Sequence, residues 1–148
     1  MKVWGIGTNW WTDDTKTRFN DRTNHFLNDG VAAIGWSKDK APGLYAMADE
    51  VEIGDIIYLK SYIIKGSQIR IKAIGKVTNN NYKTPKYEGC RVFKVEWLKM
   101  ERLEKIPLTD AEKTNNVFRN TLYREYNPRI IQIIMKKLKS NINNKAVL

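Results

Sequence analysis

The stretch Ile56-Ile-Tyr-Leu-Lys-Ser-Tyr-Ile-Ile64, then Lys65-Gly66-Ser67, then Gln68-Ile-Arg-Ile-Lys-Ala-Ile-Gly-Lys-Val77, decides the fold class. Both halves are rich in β-branched and aromatic residues, and the short glycine-bearing connection turns the chain back, so the sequence predicts a β-hairpin. Glu52-Ile-Gly-Asp55 is the turn that launches it. In the return strand Ile69, Ile71 and Ala73 alternate with Gln68, Arg70 and Lys72. Period-two alternation of this kind gives one buried face and one basic face.

Other elements follow on both sides of the hairpin. Downstream, a loop over residues 78–89 leads to a second alternating strand, Arg91-Val-Phe-Lys-Val-Glu-Trp97. Upstream, Val3-Trp4-Gly5-Ile6 reads as a first strand that ends in the polar pair Thr8-Asn9 and then Trp10-Trp11. Val31-Ala-Ala-Ile-Gly-Trp36 is a short buried strand. Short helices are predicted over residues 21–29, ended by Gly30, and over residues 43–50. Several short strands with glycine-marked turns favour a small mixed barrel over a doubly wound sheet.

The C-terminal part reads as helical. Thr109-Asp-Ala-Glu112 has capping-box spacing, and Asn127-Pro128 supplies an N-cap followed by proline at the first helical position. Ile130, Ile131, Ile134, Met135 and Leu138 then recur at helical spacing, as a core-facing stripe does, and residues 141–148 read as frayed. The fold class expected is α+β: one domain over residues 1–148, with a barrel over about 3–108 and a helical segment over about 109–140.

The 148 residues carry 26 Lys+Arg against 16 Asp+Glu, a formal charge of +10, and 42% are apolar. The charge is uneven: residues 1–59 are net −3, residues 60–100 net +8 and residues 101–148 net +5. A polyanionic partner is therefore expected to meet the middle third. One cysteine, Cys90, excludes an internal disulfide framework and a Cys-rich zinc site. No signal peptide is visible and no apolar run approaches the ~20 residues that cross a bilayer, so a soluble cytoplasmic protein is expected, with no membrane contact.

Catalytic signatures are absent. His25 is the only histidine, read as a polar residue on a short helix, and no spacing brings it to Cys90. Gly5-Ile-Gly7 lacks the third glycine of a dinucleotide fingerprint. Asp13-Asp14-Thr15-Lys16 has no acidic partner at a recognisable spacing and reads as a solvated loop. No catalytic residue, metal ligand or cofactor is assigned.

The aromatic and basic residues point elsewhere. Proteins that read an unpaired base stack it on aromatic rings and hydrogen-bond its edge. Thr8, Asn9, Trp10, Trp11, Trp36, Ser37, Tyr82 and Tyr87 are the candidates for such a pocket, and Lys60, Lys65, Arg70, Lys72, Lys83 and Lys86 for phosphate contact. Trp4 and Trp97, inside strands, are assigned to the core.

Four pieces in order resemble the PUA-like superfamily and, within it, the EVE and YTH-like domains. They are the first strand ending in Thr8-Asn9, then Ile34-Gly35-Trp36-Ser37, then Gly54-Asp55-Ile56-Ile57-Tyr58 with the return strand Ala73-Ile74-Gly75-Lys76-Val77, then Val92-Phe93-Lys94-Val95-Glu96-Trp97 with Ile106-Pro107-Leu108. The resemblance implies a β-barrel with flanking helices and a pocket for a modified base on RNA or DNA. It matches Trp36 to a cage tryptophan and Asn9 to a residue that contacts the base. The second cage tryptophan of YTH domains has no counterpart here, so Tyr82 or Tyr87 takes its place. Residues 12–30 depart from the family, which leaves open whether Trp10 or Trp11 faces the pocket. Two alternatives stand beside this reading: an ASCH-like ribonuclease on the same fold, and a protein-interaction or toxin–antitoxin accessory module.

Overall fold

The computed structural model of the chain describes residues 1–11, 19–63, 68–98, 104–114 and 120–146. In chain order the elements are β1 (Val3–Gly7), β2 (Asn9–Trp11), β3 (Phe19–Asp21), α1 (Thr23–Asp29), β4 (Val31–Ile34), α2 (Pro42–Ala48), β5 (Ile56–Ile63) and β6 (Gln68–Asn79). A 3₁₀ turn (Pro85–Tyr87), β7 (Arg91–Trp97), β8 (Glu104–Pro107), α3 (Asp110–Thr114), β9 (Leu122–Arg124) and α4 (Pro128–Ala146) complete it.

The hairpin read from the sequence is the centre of the sheet. Strand β5 pairs antiparallel with β6, Ile56 facing Lys76 and Ile63 facing Gln68, with a register shift at Leu59/Lys60. The order is β4-β7-β6-β5-β1-β9, and β8 pairs with the first part of β6. Strand β1 runs parallel to β5, from Val3 opposite Ile56 to Gly7 opposite Lys60. The result is an α+β fold whose mixed sheet curls into a half-barrel. Among the described residues the edge strands β4 and β9 are not paired with each other, so the ring expected from the sequence is open.

Both faces of this sheet are covered, which is why the start of β5 is a continuous apolar run rather than an alternating one. Ile57 and Leu59 join a core with Trp4, Phe26 of α1, Ala48 of α2 and Phe93. Ile56 and Tyr58 join a second core with Ile69, Ile71 and, from α4, Ile130 and Ile134. The capping box is formed: Thr109 N–H donates to Glu112 Oε1 at 2.8 Å and Glu112 N–H to Thr109 Oγ1 at 3.2 Å. Asn127 caps α4 through Oδ1, which accepts from Arg129 N–H at 3.0 Å. That helix extends to Ala146, beyond the boundary of about 140 read from the sequence.

Helix α1 begins at Thr23 rather than residue 21, because Asp21 is spent on β3, opposite Asn9. Its carboxylate accepts from Thr23 N–H at 3.0 Å, satisfying a donor at the start of the helix. Gly30 ends α1 at φ 67°, a left-handed conformation that glycine adopts at little cost.

Candidate functional site

The β2–β3 hairpin leaves the end of β1 and is pinned to the sheet by one lysine. Lys72 Nζ donates to Thr8 Oγ1 at 2.9 Å, to Asp21 Oδ2 at 2.8 Å and to Thr23 Oγ1 at 3.2 Å. Its three N–H bonds are all used, and its side chain is 9% exposed. Burial raises the Asp21 pKa, but the bond from Lys72, followed by those from Thr23, outweighs this and holds the carboxyl well below its ordinary range. Thr8 is buried, so its hydroxyl is part of the clamp rather than of an open wall.

This clamp presents Trp10. Its indole lies so close to Gly35 that a Cβ there would stand 2.8–3.2 Å from the ring atoms. Phe26 and Tyr87 meet the indole edge to face, with centroids 5.8 and 6.4 Å away. The Arg22 guanidinium lies over the ring, its carbon 4.8 Å from the centroid. Trp10 Nε1 and Arg22 Nε are both buried, and neither has a hydrogen-bond partner. A buried N–H without an acceptor costs about 1–3 kcal/mol, and here two stand at one place. Gly35→Ala is expected to push the indole off its seat, lowering stability by ~1–3 kcal/mol and shifting the tryptophan emission. Urea unfolding followed by fluorescence measures both, and an unchanged midpoint contradicts the packing.

Neighbouring segments complete the cluster. Half-buried Trp36 follows Gly35, and its carbonyl accepts from the Tyr45 hydroxyl of α2 at 3.0 Å. The same hydroxyl reaches Gly89 O at 3.3 Å, which ties the loop before β7 to Trp36. The buried Tyr87 hydroxyl donates to Asp29 Oδ2 at 2.6 Å. Burial and then that bond raise the Tyr87 pKa, keeping the phenol protonated as a donor. Cys90 is half-buried beside the group, its thiol pKa raised by burial and partly offset by Arg22.

The pocket residues read from the sequence divide. Trp10 meets Tyr87 edge to face, and half-buried Trp36 follows the Gly35 on which Trp10 sits; Asn9 and Ser37, their chain neighbours, are exposed. Trp10 is the tryptophan seated on Gly35, and Trp11 continues β2. Tyr82 packs against the same core as Trp10 and Trp36, under Lys94 of β7, whose ammonium is 4.7 Å from its ring centroid.

The phosphate candidates are corrected at two positions. Lys72 is occupied by its clamp, and Lys60 is 5% exposed, its ammonium 5.4 Å from the Tyr123 ring centroid. Burial lowers the Lys60 pKa to about 8. Both side chains are spent on the interior, where a phosphate does not reach. Arg70 is half-buried on β6, its Nε buried without a hydrogen-bond partner. Lys83 and Lys86 are exposed, the latter paired with Asp29 at 2.9 Å. Lys65 and Asp13–Lys16 lie outside the described residues.

Sequence reasoning missed Arg22, Tyr45 and the exposed Lys38 and Lys40, two and four residues after Trp36. The nearness to Trp36 was the available signal for the two lysines. It also missed a polar group within the second core: Tyr58 donates to Glu125 Oε1 at 2.7 Å, and the Tyr58 and Tyr123 hydroxyls are 2.6 Å apart. Burial pushes the Glu125 carboxyl up. His25 is exposed on α1. Among the described residues no group of three or more His, Cys, Asp and Glu side chains is placed to hold a metal ion, and no helix is long and apolar enough to cross a membrane.

Fold and site together define a small α+β domain that gathers aromatic rings and unpartnered donors at one end of a curled sheet. The chain belongs to the family described as Domain of unknown function (DUF8426), whose model matches residues 9–125 and so takes in the whole aromatic cluster. No curated protein matches the chain.

Proposed function

We propose that this chain is a non-catalytic nucleic-acid-binding domain, PUA-like and closest in kind to EVE and YTH-like domains, that reads a flipped modified base. The observation that carries the reading is Trp10, seated on Gly35 next to Trp36 in the chain and met edge to face by Tyr87, with its indole N–H and the Arg22 Nε both unpartnered. Aromatic faces stack any base, worth ~1–3 kcal/mol each. The unpartnered Trp10 N–H suits a ligand group that brings an acceptor, and the Arg22 guanidinium suits a phosphate. A methyl group buried against the rings adds on the order of 1 kcal/mol, roughly fivefold in affinity.

Exposed Lys38 and Lys40 after Trp36, with Lys83 and Lys86 in the loop before β7, supply the positive rim for phosphates. Lys86 first has to leave Asp29, an exposed pair of small worth. Single-stranded RNA or DNA carrying the modified base is the expected partner, since an unpaired base is extruded at least cost.

The test is a pair of oligonucleotides, methylated and unmodified, titrated against the wild type and Trp36→Ala. Wild type is expected to prefer the methylated strand by about fivefold to tenfold. The variant is expected to lose that preference while keeping most salt-dependent affinity. Equal loss of binding to both strands, or no wild-type preference across methylated adenine and cytosine, overturns the reading.

A further inference from the structure

The aromatic cluster is not open as it stands, because a side chain of the protein already covers one of its rings. The Arg22 guanidinium, its carbon 4.8 Å from the Trp10 centroid, occupies the ring face on which a base would stack. Its Nε is buried without a partner. A guanidinium held on an aromatic ring with an unmet donor is displaceable, because any acceptor it finds outside improves its bonding.

The hinge for such a movement is fixed on both sides. Arg22 N–H donates to Thr8 O at 2.8 Å. The residue before it, Asp21, and the residue after it, Thr23, are both held by Lys72. The backbone is therefore anchored, and motion falls to the four side-chain bonds of the arginine.

We infer that Arg22 is a placeholder and a ligand contact: in the free protein it fills the stacking position on Trp10, and an incoming base displaces it. The released guanidinium then pairs with the phosphate of that nucleotide, for which its fork of donors is suited. This inference rests on the base-reading function proposed above. It makes binding of base and phosphate one event, so a nucleoside without its phosphate pays for the displacement and gains nothing from it.

Two measurements test it. In protein labelled with 5-fluorotryptophan and without ligand, the ¹⁹F signal of Trp10, assigned through Trp10→Phe, is expected to shift in Arg22→Ala and in Arg22→Lys, since lysine lacks the flat group. An unmoved signal in both overturns the inference and leaves the base-reading function standing. In the second, a modified nucleoside is compared with its 5′-monophosphate. Wild type is expected to favour the monophosphate by about tenfold. Arg22→Ala is expected to bind the nucleoside several-fold more tightly and to lose the preference, while Arg22→Lys keeps part of it. Arg22→Ala that weakens both ligands equally overturns the inference, assigning the residue a structural role. Failure of wild type to bind either ligand or any oligonucleotide overturns the base-reading function, and the phosphate pairing with it.

Discussion

Asp55→Ala is expected to lower the unfolding free energy by about 3 kcal/mol or more at neutral pH, the largest stability effect of any single substitution considered for this fold. The carboxylate is 3% exposed and accepts three hydrogen bonds: from Lys2 N–H at 2.9 Å, from Glu52 N–H at 2.9 Å and from the Trp4 indole N–H at 3.0 Å. It thus joins the start of β1, the turn before β5 and the largest core side chain. Alanine leaves all three donors without this acceptor. Burial raises the Asp55 pKa, but the bonds from Lys2, Glu52 and Trp4 outweigh it, so the folded value lies below the ordinary 3.8. The sign follows: the folded state binds this proton less readily than the unfolded chain does. Its stabilisation is complete above 3.8 and lost as pH falls through the lower folded value. Asp55→Ala should therefore be less stable at pH 7 and show a shallower fall in stability below pH 4. Glu112, held at about 2 by bonds from Thr109, Arg129 and Asn127 that outweigh its burial, keeps part of the acid limb in the variant. Glu125 acts in the opposite sense, since its raised pKa makes acidification stabilising. Urea unfolding at pH 7 and pH 3 measures both effects; a loss under 1 kcal/mol at pH 7 contradicts the role given to Asp55.

That role was only half legible in the sequence. Gly54-Asp55 before an apolar run reads as a turn, and Gly54 does take φ 95° there. Nothing local records that the side chain turns inward to Trp4, 51 residues away. The same divide runs through the whole molecule. Strand β7 is legible with both of its ends, Arg91 and Trp97, because alternation and flanking turns are local signals. The caps at Thr109 and Asn127 were read for the same reason. Strands β2, β3, β8 and β9 have three or four residues each and carry too few positions for a period to show. They exist through their partners: β9, for example, lines up Leu122 with Ile6 and Arg124 with Trp4. In the site, the rings of Trp10, Trp36 and Tyr87 were legible as chemistry, whereas Arg22 was one arginine in a polar segment with no pattern around it. The side of β6 carrying Lys72 was read as a basic face by strict alternation, but the register shift at Leu59/Lys60 puts Ala73 in the core of Trp4 and Phe93 while Ile69 and Ile71 stay in the second. What covers that face comes from residues 49 to 64 positions away, so the lysine's occupation was beyond any local reading.

Lys72→Met is the substitution expected to change the site most, and its outcome separates two roles for one residue. A lysine that contacts a phosphate contributes equally to modified and unmodified strands, and its loss reduces the slope of log affinity against log salt by about 1. A lysine that clamps β2, β3 and α1 to β6 leaves the salt slope alone and acts on Trp10 and Arg22, which the clamp positions. The geometry favours the second: all three N–H bonds point to Thr8, Asp21 and Thr23, and the side chain is nearly enclosed. Methionine keeps the apolar stem and removes the donors, leaving the buried Thr8 hydroxyl without its donor at a cost of about 2 kcal/mol. The Asp21 carboxyl, half in solvent, recovers hydration and returns toward its ordinary pKa. The expected result is a folded protein that binds nucleic acid with an unchanged salt slope and a preference for the modified strand reduced to about twofold or less. Its Trp10 ¹⁹F signal should broaden or shift, because the hairpin that seats the indole on Gly35 is no longer pinned at both ends. A reduced salt slope with selectivity intact returns Lys72 to the phosphate rim. An Asp21→Asn variant gives the same answer from the other partner: it weakens the clamp without removing a positive charge, so lost selectivity there cannot be attributed to a lost phosphate contact.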